Sequence, residues 1–343
     1  MHILPEIIWV NILVIIGAFF VLSYSANFLV DGAVGVAVKL KVSKIIIGIV
    51  LVGFATTAPE FTVSLLSALR GLPEIALGNA LGSVIVDDAL ALGLGIIVSQ
   101  IAIKVDSHII KTTGLFLLLA AVASFILALN AQVSRIEGVI LVVAYIVYIA
   151  AIVRGERKKY LINNDQDKDE DYELDQHRKS GNLLRQILRL ALGVVGIIVA
   201  SEFLVDASIF VARTIGASEA IIGLTIIAIG TSLPEIATSI AACRRRHGDL
   251  ALGNIIGADI LNILWIIGAS AIANPIYLER RMIFYSFPWM LIVLILMLIM
   301  ARTKYMLFKR NGIVLVSVYI IYLVMTVMVF YLGFGNNFME RFF

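Results

Sequence analysis

Apolar residues fall along this chain in ten blocks, each long enough to cross about 30 Å of hydrocarbon as a helix rising 1.5 Å per residue. The blocks lie near 7–30, 43–69, 75–98, 109–129 and 134–153, then near 185–210, 218–242, 249–272, 282–301 and 311–333. One sizeable polar segment, 154–184, interrupts the series. The pattern predicts an all-α polytopic membrane protein with ten transmembrane helices. Five are expected in residues 1–153 and five in 185–343, with a polar cytoplasmic linker between. The first block begins almost at Met1 with no Lys or Arg before it and outruns the short apolar core of a signal peptide, so it is expected to remain as a span.

Composition agrees: 61% of the 343 residues are hydrophobic and 15% charged, with mean hydropathy +1.01. A soluble domain of this size cannot bury so much apolar surface. The net charge of +3 could suggest an anionic partner, but the basic residues cluster between apolar blocks, which is a topology signal and not a nucleic-acid footprint. With the N-terminus outside, every Lys and Arg of the 27 falls on the cytoplasmic side except Arg70, Arg135, Arg213, Arg280, Arg281 and Arg341. That bias predicts an outside N-terminus, a cytoplasmic linker and residence in the cell membrane. The single cysteine, Cys243, excludes an intramolecular disulfide and a multi-thiolate metal site. In the linker, Asp165, Asp167 and Asp169 have the opening spacing of a calcium-binding EF-hand. Glu170 then stands in place of the turn glycine and Gln176 in place of the bidentate glutamate, so a solvated linker is the better reading.

The two halves match at an offset of 175 residues. SANFLVDGA from Ser25 aligns with ASEFLVDAS from Ala200, and IIGIVLVGFATTAPEFTVS from Ile46 with IIGLTIIAIGTSLPEIATS from Ile221. ALGNALGSVIVDDALALG from Ala76 aligns with ALGNIIGADILNILWIIG from Ala251. Chance likeness of apolar helices can mimic the Ile and Leu matches. It cannot mimic the registered pairs Asp31/Asp206, Pro59/Pro234, Glu60/Glu235, Asn79/Asn254 and Gly82/Gly257. Five spans per copy is odd, so the second copy must be inverted in the membrane, a layout of secondary transporters with ion sites near the midplane.

A carboxylate at membrane depth is costly unless paired, so Glu60 and Glu235 are functional candidates. Pro59 and Pro234 precede them, and each removes a backbone donor from the helix, leaving carbonyls short of partners. Thr56 and Thr57, like Thr231 and Ser232, lie one turn before the glutamate and add hydroxyls to the same patch. A kink alone or a hydroxyl bonded to its own helix is ordinary in a membrane. Both together, duplicated in register with Glu, point to an oxygen-rich cation site. In the third and eighth spans Ser83 and Asp87 share a face, as do Ala258 and Asn262, with Gly78, Ala80, Gly82, Gly253 and Gly257 allowing close helix approach. Asp259 shares the face of Asn262, whereas Asp88 points about 100° away from Asp87. Asn27 and Glu202 could line an access route, but bonding to neighbouring helices is the better reading, and Asp31 and Asp206 are expected near span ends, at the interface.

TTAPEF and GTSLPEI, each followed by a GN-x-x-G segment, resemble the paired repeats of the sodium/calcium exchanger family within the cation/calcium antiporter superfamily. The resemblance covers the ten-span layout, the linker and both motif pairs. It implies calcium/sodium antiport by alternating access, with calcium and sodium as cargo and no cofactor. Carried over by position, it makes Glu60, Glu235, Thr56 and Thr231 central calcium ligands, the glutamates also serving sodium. It assigns Thr57, Ser232, Ser83 and the carbonyls of Gly53 and Ala228 to flanking sodium sites, with Asp87 and Asn262 completing the centre. Prokaryotic relatives typically have Asn on the third span and Asp on the eighth, so Asp87 and Asn262 are exchanged here between the repeats. Ala258 replaces the serine of the usual GSN, and Val84 and Asp259 replace its two asparagines.

Proton/calcium exchange is the nearest rival, although its branch usually carries GNAVE-like motifs in place of PE. Potassium coupling and other divalent cargo such as magnesium or manganese share the same ligand types. A passive cation channel fits broken helices less well than alternating access does. An enzyme is disfavoured because no second catalytic constellation accompanies Asp87 and Asp88.

Overall fold

The computed structural model describes residues 4–39, 53–162, 182–244 and 246–331. Its helices are α1 Ile8–Lys39, α2 Gly53–Thr56, α3 Ala58–Leu69, α4 Pro73–Val98, α5 Ser107–Ala128, α6 Arg135–Ile162 and α7 Leu183–Ile215. They continue with α8 Glu219–Thr231, α9 Leu233–Arg244, α10 Gly248–Ala273, α11 Arg280–Arg302 and α12 Lys309–Phe330. Among the described residues, eight helices are long and apolar enough to cross a membrane, or nine if the bent pair α8–α9 is one span. The second predicted span falls partly outside the described residues; α2 and α3 are its described portion. Also outside are Lys41, Lys44, Arg245, Arg341 and the linker acids Asp165, Asp167, Asp169 and Glu170 with Gln176. Helix α6 continues to Ile162, into the stretch expected as linker.

Bounds recur at the offset read from the sequence. Adding 175 to those of α3 and α4 gives those of α9 and α10. Four two-residue strands close the ends of the bundle: β1 Ile103–Lys104, β2 Gln132–Val133, β3 Ile276–Tyr277 and β4 Met306–Leu307. They pair antiparallel as β1 with β4 and β2 with β3, so each pair joins a loop of the first half to one of the second.

The apolar interior forms two clusters. The larger joins α4–α6 to α8–α12; in the smaller, α1 and α7 pack chiefly on each other and meet the rest through residues such as Val63, Ile75 and Ile227. The outward faces of α1 and α7 stay apolar and exposed, as at Trp9, Phe20 and Leu192, which suits contact with lipid. Helices α4 and α8 cross closely at Gly82, where an added Cβ would stand 2.7 Å from that of Ala228 and 2.9 Å from the Leu224 carbonyl. Helix α3 ends on left-handed Gly71 (φ +73°), whose N–H bonds the Ala68 carbonyl at 3.0 Å.

Candidate cation site

Both motif helices break where the prolines predict. Thr57, between α2 and α3, has φ −87° and ψ 10°, and Ser232, between α8 and α9, has φ −81° and ψ 8°. Helices α8 and α9 are bent by 45°. Pro59 and Pro234 sit in the first turns of α3 and α9, where their missing N–H costs the new helix nothing. Each restart also puts Glu60 or Glu235 in a first turn, beside unbonded N–H groups and the positive end of a helix dipole.

Across this double break, side chains from distant parts of the sequence meet. The Ser232 hydroxyl donates to Glu60 Oε1 at 3.3 Å. Thr231 Oγ1 donates to Asn79 Oδ1 at 3.0 Å and stands 3.5 Å from Ser83 Oγ. Asn79 Nδ2 reaches the Glu60 carbonyl at 3.1 Å and Ser64 Oγ at 2.9 Å. Asn79, half of the Asn79/Asn254 pair in the repeat, is through these contacts the tie between the two broken helices.

The predicted acids share this buried region. Glu60, Glu235 and Asp87 are each 1% exposed. Glu60 lies near enough to Asp87 and Glu235 for their charges to repel. Glu60 Oε2 and both carboxylate oxygens of Glu235 and Asp87 have no partner. Buried oxygens without donors are costly, and a cation is what would satisfy them. Asp87 sits in a π-helical turn of α4, Val86–Ala91, and Asn262 in the matching turn of α10, Leu261–Ile266. Such turns add a residue to one helical turn and recur at functional sites. The Asn262 amide is buried and both its polar atoms are unpartnered. A third π turn, Gly223–Ile227, precedes Ala228, and the Tyr322 hydroxyl caps its Leu224 carbonyl at 3.1 Å.

Other candidates are less open. The Ala228 carbonyl already accepts from the Ser232 N–H at 3.1 Å and from Thr231 Oγ1 at 3.3 Å. Thr57 is buried and Thr56 half-buried; Gly53 opens α2. Among the described residues no group of three or more His, Cys, Asp or Glu converges tightly enough to hold a metal ion. A metal ion held here would therefore need hydroxyls and carbonyls beside the glutamates, or closer approach of the helices.

Asp88 and Asp259, whose facing the spacing left open, are both buried, and their side chains approach each other with no donor for either carboxylate. Two such groups repel unless a proton or cation lies between them. Asp206, expected near a span end, is buried in α7, and its Oδ1 accepts from Nη1 of Arg70, the residue that caps α3, at 2.6 Å. Glu202 bonds the same guanidinium, as its expected role of bonding a neighbouring helix requires. Asn27 and Asp31 are exposed on α1.

With this geometry in place, comparison with known proteins is decisive. The sequence profile of the sodium/calcium exchanger protein family matches residues 10–154 and 185–328. The chain belongs to the sodium/calcium exchanger family. It is thus a multi-pass membrane protein of a cation/calcium antiporter family, a transporter and not an enzyme. Sodium/calcium exchanger MaX1 of Methanosarcina acetivorans is 29% identical, over 92% of this chain and 98% of its own. Inner membrane protein YrbG of Escherichia coli is 35% identical over 77% of this chain and 79% of its own. The solved structure of the sodium-calcium exchanger NCX_Mj superposes with a TM-score of 0.63 at 26% identity, covering 93% of this chain and 99% of that one.

Proposed function

We propose that this exchanger carries calcium against sodium across the cell membrane, by alternating access to one site at the double helix break. Glu60, Glu235, Thr56 and Thr231 form the calcium centre, completed by Asp87 and Asn262. Thr57, Ser232, Ser83 and the Gly53 and Ala228 carbonyls serve flanking sodium ions. The observation that carries this reading is the Ser232 hydroxyl on Glu60 Oε1 at 3.3 Å, beside the partnerless oxygens of Glu235 and Asp87. It joins a hydroxyl of one motif to the carboxylate of the other at a buried point where both helices are broken. Oxygen ligands of this kind suit a hard cation that sheds its water.

In this reading residues 1–153 and 185–343 are inverted copies, each with five of ten spans, joined by the 154–184 linker on the cytoplasmic side, with the N-terminus outside. Support comes from the equal spacing of α3–α4 and α9–α10 and from the strand pairing, which exchanges β1–β4 with β3–β2 when the halves are swapped. The site holds one divalent ion or several monovalent ones, and that competition couples the fluxes. Empty, its clustered carboxylates resist crossing the bilayer, which prevents futile cycling.

The test is calcium uptake into proteoliposomes loaded with sodium, potassium or acid in turn. Sodium loading is expected to drive uptake that the double variant Glu60→Gln, Glu235→Gln abolishes. Uptake driven equally by a pH gradient without sodium would replace sodium with the proton as the coupling ion, and steady single-channel currents would replace exchange with conduction.

A further inference from the structure

The turn between α11 and α12 borders, with the end of α4, an open cavity of about 590 Å³ lined by Ser99, Ile101, Phe308 and three cations, Lys304, Lys309 and Arg310. No acid lines it, and among the described residues none of the three cations meets a carboxylate. Three exposed like charges facing one cavity repel only weakly in water, and an anion that enters is attracted by all three.

The frame that presents these cations is fixed. Lys304 and Tyr305 hold left-handed backbone (φ 57° and 50°), and the pairing of β1 with β4 follows at once. Lys111 lies 5.8 Å from the Tyr305 ring centre and Arg310 5.7 Å from that of Phe308, which orients its guanidinium. The rim is apolar and exposed: Ile101 and Phe308 at the mouth, with Ile299, Ile313 and Val314 continuing along α11 and α12. An anion with hydrocarbon chains fits both parts.

The backbone of the turn does not call for the charges; the cytoplasmic bias of Lys and Arg accounts for their sign, and the turn brings three of them to one cavity. The corresponding turn between α5 and α6 also carries a left-handed residue, Ala131 (φ 64°). There Leu129, Ser134 and Arg135 take the places of Lys304, Lys309 and Arg310, and Glu137 caps the Ser134 N–H at 2.6 Å. One end of the molecule thus has a basic pocket where its counterpart has a single cation and an acid.

We propose that this pocket binds the phosphate headgroup of an anionic phospholipid, whose acyl chains lie on the exposed faces of α11 and α12. A basic pocket at the end of adjacent membrane helices is a known solution for such headgroups. The site is separate from the cation centre and stands whether or not sodium is the coupling ion.

Native mass spectrometry of the full chain, released from micelles containing phosphatidylglycerol or phosphatidylcholine, tests this. The wild type is expected to retain phosphatidylglycerol selectively. Lys304→Gln, Lys309→Gln, Arg310→Gln together should weaken retention roughly 100-fold, and Arg154→Gln should leave it unchanged. Should the triple variant fail to fold, Lys304→Gln alone is expected to give a several-fold loss. Equal lipid retention by the triple variant, an equal loss in Arg154→Gln, or displacement of the lipid by equimolar inorganic phosphate would each overturn the assignment.

Discussion

Asn79 binds three groups at once: the Glu60 carbonyl, Ser64 Oγ and Thr231 Oγ1. Removing a buried partner leaves the others unsatisfied, at about 1–3 kcal/mol. Asn79→Ala is therefore expected to lower thermal stability and, by freeing Glu60 and Thr231, to raise the calcium concentration for half-maximal exchange. Unchanged calcium dependence in a folded variant would make Asn79 a packing residue only. Asp259 predicts the opposite sign. Its carboxylate faces Asp88 without a donor, so Asp259→Asn relieves repulsion at nearly constant shape. The ion-free protein should melt higher in a thermal scan, and added cation should raise that melting temperature less than in the wild type.

At the scale of elements, the Arg70 cluster fastens α7, and with it α1, to the end of α3. Arg70 caps α3 and binds both Glu202 and Asp206, one turn apart on α7. Alternating access needs relative motion between helix groups, and among the described residues α1 and α7 pack far more on each other than on the remainder. Arg70→Ala is expected to widen the distance distribution between spin labels on α3 and α7, while the partly exposed pair costs only about 1 kcal/mol of stability. An unchanged distribution would show that the pair does not restrain α7.

The helix breaks at Thr57 and Ser232 were legible in the sequence because proline removes a hydrogen bond wherever it stands. The match of α3 and α4 to α9 and α10 was legible because polar residues recur at one offset. The π turns holding Asp87 and Asn262 were not: a π turn changes the backbone register without a distinctive residue, and only packing against neighbouring helices selects it. The Arg70 cluster was hidden for another reason. Its partners lie 132 and 136 residues away, and charge alone does not name a partner at that distance. The same holds for Asp88 and Asp259, whose angular positions on their own helices said nothing of how α4 and α10 turn toward each other.

For the whole molecule, the informative feature is the asymmetry of charge between the halves, Asp87 in the first and Asn262 at the matching position of the second. Asp87 and Asn262 occupy matching π turns, so the proposed pseudo-symmetric arrangement would make the two positions nearly interchangeable as seen from a central ion. Their surroundings differ: Ser83 lies one turn before Asp87, whereas Ala258 lies one turn before Asn262. If net charge sets how many sodium ions replace one calcium, Asp87→Asn alone should change the steepness of sodium dependence, and adding Asn262→Asp should restore it. If the hydroxyl beside the acid sets sodium affinity, the doubly exchanged protein should regain steepness but keep a weakened half-saturation for sodium. Adding Ala258→Ser to it should recover that affinity. Sodium titrations of calcium flux on the four proteins separate these effects. A double variant as impaired as Asp87→Asn would mean that α4 and α10 are not equivalent around the ion, and that the asymmetry of the surrounding acids, Asp88 on one helix and Asp259 on the other, fixes which half must carry the charge.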